Sequence, residues 1–231
     1  RTGAGGNIAA EIVANAPPDG YTLLFTPPGP LVVNKSLYGN LSFDPDAFVP
    51  VSRLTTAASA LLVHPSHTGD LRQFIAFAKA NPGKLNYASS GNGTTQHLGA
   101  ELLKSAADVK ISHVPYKGQA PALLALVAGQ VDMMLANLGT TLPQIRSGKL
   151  RALAVGSEKR SPLLPDVPAL AEMFPGMTAT TWSGMVAPAG TPPAIVNRLS
   201  AAIADIMKSP DVVKQLAESH TEAVEIGRAH V

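Results

Sequence analysis

The hydrophobic positions change period along the chain, and each change marks an element. Leu71, Phe74, Ile75 and Ala78 recur at helical spacing and predict an amphipathic helix over Leu71–Ala80, stopped by Asn81-Pro82-Gly83. Beyond it, short apolar runs alternate with helical stretches. The runs predict strands over 85–88, 111–115, 131–136 and 150–155. The stretches between them predict helices over Thr95–Ala107 and 121–128, and a helical turn over 142–147. This alternation implies βαβ units and a parallel sheet covered by helices.

The flanking regions have another texture. Before the alternation we expect a helix over 8–15 with Asn7 as its N-cap, then a turn at Pro17-Pro18-Asp19-Gly20. A buried strand over 21–25, a short helix over 31–38, a turn at Asp44-Pro45-Asp46 and an apolar strand over 59–64 follow. After the alternation come a Pro-rich stretch, a short helix near Ala169 and an extended segment over 179–188. The helix Pro193–Met207 closes the pattern, with Ile195, Val196, Leu199, Ile203 and Ile206 at helical spacing. The change of texture suggests two lobes, the regular one inserted into the other.

Composition narrows the classes. The 231 residues are 45% hydrophobic and 15% charged, enough apolar surface to offset the entropy of ordering, so disorder is excluded. There is no Cys, which excludes disulfides, thiolate zinc sites and a cysteine nucleophile. The formal charge is +2 and the basic residues are scattered singly, which argues against a nucleic-acid partner. No apolar run approaches the roughly 18 residues that a membrane span needs.

Open α/β sheets take ligands at the carboxyl ends of their strands, beside helix N-termini. Two such corners carry chemistry here. In Ser89-Ser90-Gly91-Asn92-Gly93-Thr94-Thr95 the glycines let backbone N–H groups converge, the hydroxyls add donors, and the next helix adds a partial positive end. The corner suits a carboxylate or another small anion, or is an ordinary capped turn. Tyr116-Lys117-Gly118-Gln119-Ala120-Pro121 is the second corner, where Lys117 either adds a charge or points to solvent. Phe25-Thr26-Pro27-Pro28-Gly29 is a third junction. His97, early in its helix, either touches ligand or hydrogen-bonds the Ser/Gly loop.

Enzyme and cofactor signatures are weak. Gly91-Asn92-Gly93-Thr94-Thr95-Gln96 begins like a dinucleotide fingerprint but has Gln96 where the last Gly belongs. Neither a P-loop nor a Gly-x-Ser-x-Gly elbow is present. His64 and His67 straddle Pro65 at a strand end, a poor metal face. Asp44 and Asp46 read as turn formers, Met133-Met134 as core, and Trp182 as lining a cleft or capping a core. No cofactor, metal or catalytic residue is assigned.

An ordered set of motifs then carries a family resemblance. It comprises Gly3-Ala4-Gly5-Gly6, Pro18-Asp19-Gly20-Tyr21-Thr22-Leu23-Leu24, Asn81-Pro82-Gly83-Lys84-Leu85-Asn86-Tyr87, Ser89-Ser90-Gly91, His113-Val114-Pro115-Tyr116-Lys117-Gly118, Gly129-Gln130-Val131-Asp132 and Val186-Ala187-Pro188-Ala189-Gly190-Thr191-Pro192. From residue 1 to about 213 the chain resembles the Bug-type extracytoplasmic receptors of tripartite tricarboxylate transporters.

The resemblance implies an α/β, two-lobed, periplasmic-binding-protein-like (type II) fold with two crossover strands, near 60–64 and 181–187. Lobe 1 would comprise 1–59 and 184–224, and lobe 2 would comprise 60–183. It implies a periplasmic, non-enzymatic receptor that closes on a small organic acid and delivers it to two membrane subunits. The ligand loops carried over are Ser89, Ser90, Gly91, Gly93, Thr94 and Thr95, with His97 beside them, and Tyr116, Lys117, Gly118 and Pro121. Asn137 at a third strand end and Thr26 from the first lobe complete the set. In the family a first strand and a Pro-Gly-Gly-type loop precede the position of Arg1 and a further C-terminal portion follows, so the N-terminal strand and helix are expected to be missing. Residues 225–231 match the codons GAG-ATC-GGA-AGA-GCA-CAC-GTC, a sequencing-adapter run, and are expected to be a non-native tail. The rival readings are an α/β enzyme acting on a carboxylate, with His97 as base and the Ser/Gly corner as oxyanion site, and a receptor that senses rather than transports.

Overall fold

The computed structural model describes residues 4–218 and 221–223. The elements run α1 (Asn7–Ala14), β1 (Leu24–Thr26), α2 (Asn34–Leu37), β2 (Val49–Val63), α3 (Leu71–Ala80), β3 (Asn86–Ser89), α4 (Thr95–Ala107), β4 (Ser112–Pro115) and α5 (Gln119–Val127). They continue as β5 (Met133–Asn137), α6 (Leu138–Arg146), β6 (Arg151–Val155), α7 (Leu170–Met173), β7 (Thr180–Ala187), α8 (Pro193–Met207), α9 (Pro210–Glu218) and β8 (Glu222–Ala223). The chain divides into two compact units, one of Arg1–Ala57 with Thr181–Val231, the other of Ala58–Thr180. The chain passes from one unit to the other inside β2 and at the start of β7, so the first crossing lies a few residues before 60–64.

The second unit is the regular one. Its sheet order is β6, β2, β5, β3, β4, with β3 parallel to β4 and β5 but β2 antiparallel to β5 and β6. The expected parallel sheet is therefore a mixed one: β2 runs against the other four strands, β3, β4, β5 and β6. Alternation along the strands sends side chains to both faces. Leu61, Val63, Met133 and Leu135 meet Phe74, Ile75 and Leu103 on one face, while Leu62, Met134 and Ala136 meet Ala122, Leu126 and Leu142 on the other. Strands covered on both sides need apolar residues at successive positions, which is why β5 reads Met-Met-Leu-Ala. Met133 and Met134 are core, each fully buried.

Local chemistry sets the boundaries. Asp70 caps α3 by accepting from Gln73 N, while the Gln73 side chain accepts from Asp70 N, both at 2.9 Å. α3, α4 and α8 carry the bounds expected from the sequence. Helix α6 begins at Leu138, four residues before the expected turn, because Asn137 caps it and Pro143 lies inside it.

The first unit holds β1 antiparallel to β7, with β7 beside the first part of β2, and β8 paired with β2. Its cores gather Ala10, Val13, Leu24, Leu31, Phe43 and Phe48 in one cluster, with Trp182 packed on it, and Val51, Ala187 and Val196 in another. Asn7 is not the N-cap of α1. Gly6, at φ 97°, takes that place, and the Asn7 Oδ1 accepts from the buried Asn34. Asp44 does form its turn, accepting from Asp46 N at 3.1 Å. The 15-residue β2 starts at Val49, ten residues before the strand expected over 59–64. The expected tail over 225–231 lies outside the described residues.

Candidate functional site

Strand β3 lies between β4 and β5, and all three run parallel, so Ser89, Pro115 and Asn137 end at one edge of the sheet. A helix starts at each end: α4 after β3, α5 after β4, α6 after β5. Three helix N-termini therefore face one edge, each with a partial positive charge and unsatisfied N–H groups. Thr94 caps α4, its Oγ1 accepting from His97 N at 3.4 Å, and the Asn137 Oδ1 caps α6 through Thr140 N at 3.3 Å. At α5 the N-cap is Gly118, which has no side chain to occupy the first-turn donors.

A chain of side-chain hydrogen bonds joins the three corners. Ser90 Oγ donates to Gln96 Oε1 (2.8 Å), Gln96 Nε2 to Gln119 Oε1 (3.2 Å) and Gln119 Nε2 to Thr140 Oγ1 (2.6 Å). Thr140 Oγ1 in turn donates to Asn137 O (3.0 Å). Every link is neutral. Gln119 lies within the second corner expected from the sequence, whereas Gln96 and Thr140 carry no expectation of a role there. Their common signal is position, since each lies in the first turn of a helix that follows a strand end.

The Ser/Gly loop is held from beneath. Gly91 stands at φ 130° and Gly93 at φ 77°, backbone conformations that a side chain disfavours. Ser89 is buried, and its Oγ accepts from Gly91 N (3.1 Å), reaches Gly91 O (3.2 Å) and meets His113 Nε2 (2.7 Å). Thr94 Oγ1 donates to Gly91 O at 2.7 Å, and Gly93 N donates to His97 Nδ1 at 3.2 Å. His97 and His113 stack at 4.3 Å, and Tyr87 stacks on His113 at 4.7 Å. Burial holds both imidazoles below their ordinary range, His113 at about 4, so both are neutral at pH 7. Burial also raises the Tyr87 phenol, with its hydrogen bond to Glu101 acting the same way. For Glu101 burial works upward, but hydrogen bonds from Lys104 and Tyr87 outweigh it and hold the carboxyl low.

Of the residues singled out from sequence, the second unit brings together Ser89, Ser90, Gly91, Gly93, Thr94, Thr95, His97, Tyr116, Gly118 and Asn137 around these strand ends. Tyr116 N donates to Ser89 O at 3.0 Å, tying the two loops. Lys117 and Pro121 are exposed there. Thr26 belongs to the first unit, buried at the end of β1, where its Oγ1 donates to Pro27 O at 3.0 Å. The Ser89–His113 pair resembles half of a nucleophilic site, but Ser89 is fully buried and tied to Gly91, out of reach of a reacting carbonyl. His64 bonds Ser66, and His67 bonds Asp132, both away from this edge. Among the described residues no three His, Asp or Glu side chains group to hold a metal ion. No helix among them is long and apolar enough to cross a membrane.

Comparison with known proteins bears on what this edge does. Residues 1–229 match the family described as tripartite tricarboxylate transporter family receptor. BugT of Bordetella pertussis is 37% identical over 221 residues, covering 94% of this chain and 68% of BugT. The Rhodopseudomonas palustris protein solved with adipate superposes with a TM-score of 0.92 at 37% identity, covering 96% of this chain and 76% of that one. MatC from Rhodopseudomonas palustris, solved with bound malate, gives a TM-score of 0.87 at 36% identity, covering 95% and 76%. The chain spans 66% to 68% of the length of the first curated relatives it matches. It belongs to the tripartite tricarboxylate transporter receptor family, a family of α/β solute-binding receptors and not of enzymes.

Proposed function

We propose that the chain captures a small organic carboxylate at the carboxyl ends of β3, β4 and β5 and delivers it, in the periplasm, to the two membrane subunits of a tripartite transporter. One observation carries this reading: three helix N-termini joined by an uncharged hydrogen-bonded chain from Ser90 to Asn137. Aligned N–H groups and helix ends hold an anion without an arginine, because the partial charges are fixed in place before the ligand arrives. Adipate and malate, the acids bound by two relatives, are both dicarboxylates and support that ligand class. The contacts are assigned to Ser90, Gly91, Gly93, Thr94 and Thr95 in one loop, to Tyr116, Lys117, Gly118 and Pro121 in the next, and to Asn137, with Ser89 and His97 bracing the first loop.

Thermal shift of the full chain with a panel of mono-, di- and tricarboxylates tests it. At least one acid should raise Tm with saturation, and the matching diamide should not. A bound acid that is consumed, with turnover lost in His97→Ala, would establish the enzyme reading instead. Uptake restored in a receptor-deleted strain separates transport from sensing.

A further inference from the structure

We propose that His97 and His113 are positioning residues: as uncharged, stacked rings they hold the 89–94 loop in the shape that presents its N–H groups, and protonation releases that loop. The inference rests on the reading of this loop as an anion site, and it names how that site is regulated.

Each ring grips the loop at a different glycine. Gly93 N–H can only donate, so at 3.2 Å it requires an unprotonated Nδ1 on His97 and places that ring's proton on Nε2. Ser89 links His113 Nε2 (2.7 Å) to the Gly91 amide (3.1 Å). The two rings lie 4.3 Å apart and 17° from parallel. The groups facing them are Tyr87 and Ser89 from β3 and Glu101 and Lys104 from α4, with Tyr87 bonded to Glu101 and Glu101 paired with Lys104. A proton on His97 Nδ1 would set one N–H against another and break the Gly93 bond. Charge on both rings would place two cations face to face. Burial disfavours the charged form of each ring, and Lys104 acts in the same direction on both while Glu101 opposes it.

The test needs no ligand for its first arm. The isotope-labelled full chain is titrated by NMR from pH 7.5 to 4, following the two imidazoles and the Gly91 and Gly93 amides. The Gly93 amide should move with the His97 ring, and both rings should titrate below the ordinary value of about 6.5. In His97→Asn the side-chain oxygen can accept from Gly93 but does not titrate, so the Gly93 step should vanish. In His97→Leu the loop amides should be displaced at every pH. Rings that titrate at the ordinary value with an indifferent Gly93 amide overturn the proposal. The second arm titrates malate and adipate at pH 7.5 and 5.0. Affinity should fall about tenfold more in the wild type than in His97→Asn, the scale of one hydrogen bond, with the variant controlling for protonation of the acid itself. If neither acid binds while Gly93 still follows His97, the proposed function fails and the buttress stands. If an acid binds while Gly93 ignores His97, the buttress fails and the function stands.

Discussion

Gly93 has one amide hydrogen, and it is directed at a ring nitrogen that must therefore stay bare. The same loop needs Gly91 at φ 130°, so Gly91→Ala should strain it by about 1–3 kcal/mol. That substitution is expected to cost at least tenfold in carboxylate affinity, measured by calorimetry. Thr94→Ala removes the α4 cap and should lower stability by about 1 kcal/mol, read from urea unfolding. For His113 the sign of the pH effect follows from a folded-state pKa of about 4 against 6.5 unfolded. Above pH 6.5 neither state is protonated and the contribution of the neutral ring is whole. Between 6.5 and 4 the unfolded chain takes up the proton and the folded one does not, so stability falls as pH falls. The urea midpoint should drop across that window, and His113→Gln should flatten the drop.

At the scale of elements, legibility followed local information. Leu71, Phe74, Ile75 and Ala78 announced the buried face of α3, and all four are buried. The strand–turn–helix corners at 89–95 and 116–121 were readable because Gly, Ser and Thr mark the turns. What escaped depends on register in three dimensions. Gln96 and Gln119 are 23 residues apart and meet only because β3 and β4 pair Ser89 with Pro115. Ala57 and Ala58 are weak strand formers and Pro50 lies near the start of β2, so the sequence marks only its last part, over 59–64. No signal was found for α9, and the helical turn expected over 142–147 begins four residues inside α6. Two predictions belong here. Gln119→Leu cuts the polar chain between α4 and α6 and should weaken carboxylate binding about three- to tenfold by calorimetry. Leu135→Ala, deep beneath α4, should cost about 2–5 kcal/mol in urea unfolding.

At the scale of the molecule, family membership rests on a match over almost the whole chain and on structures that superpose at TM-scores of 0.87 and 0.92. A floor of backbone amides and neutral side chains would record a ligand's charge and spacing more than its identity. The charge preference itself is directly measurable. Calorimetry of the full chain at pH 7.5 with malate, adipate and a panel of other carboxylates, each against its diamide, tests the central claim. The account predicts saturable, one-to-one binding of at least one acid and none of its diamide. A folded chain that binds no carboxylate, or binds acid and diamide alike, contradicts it.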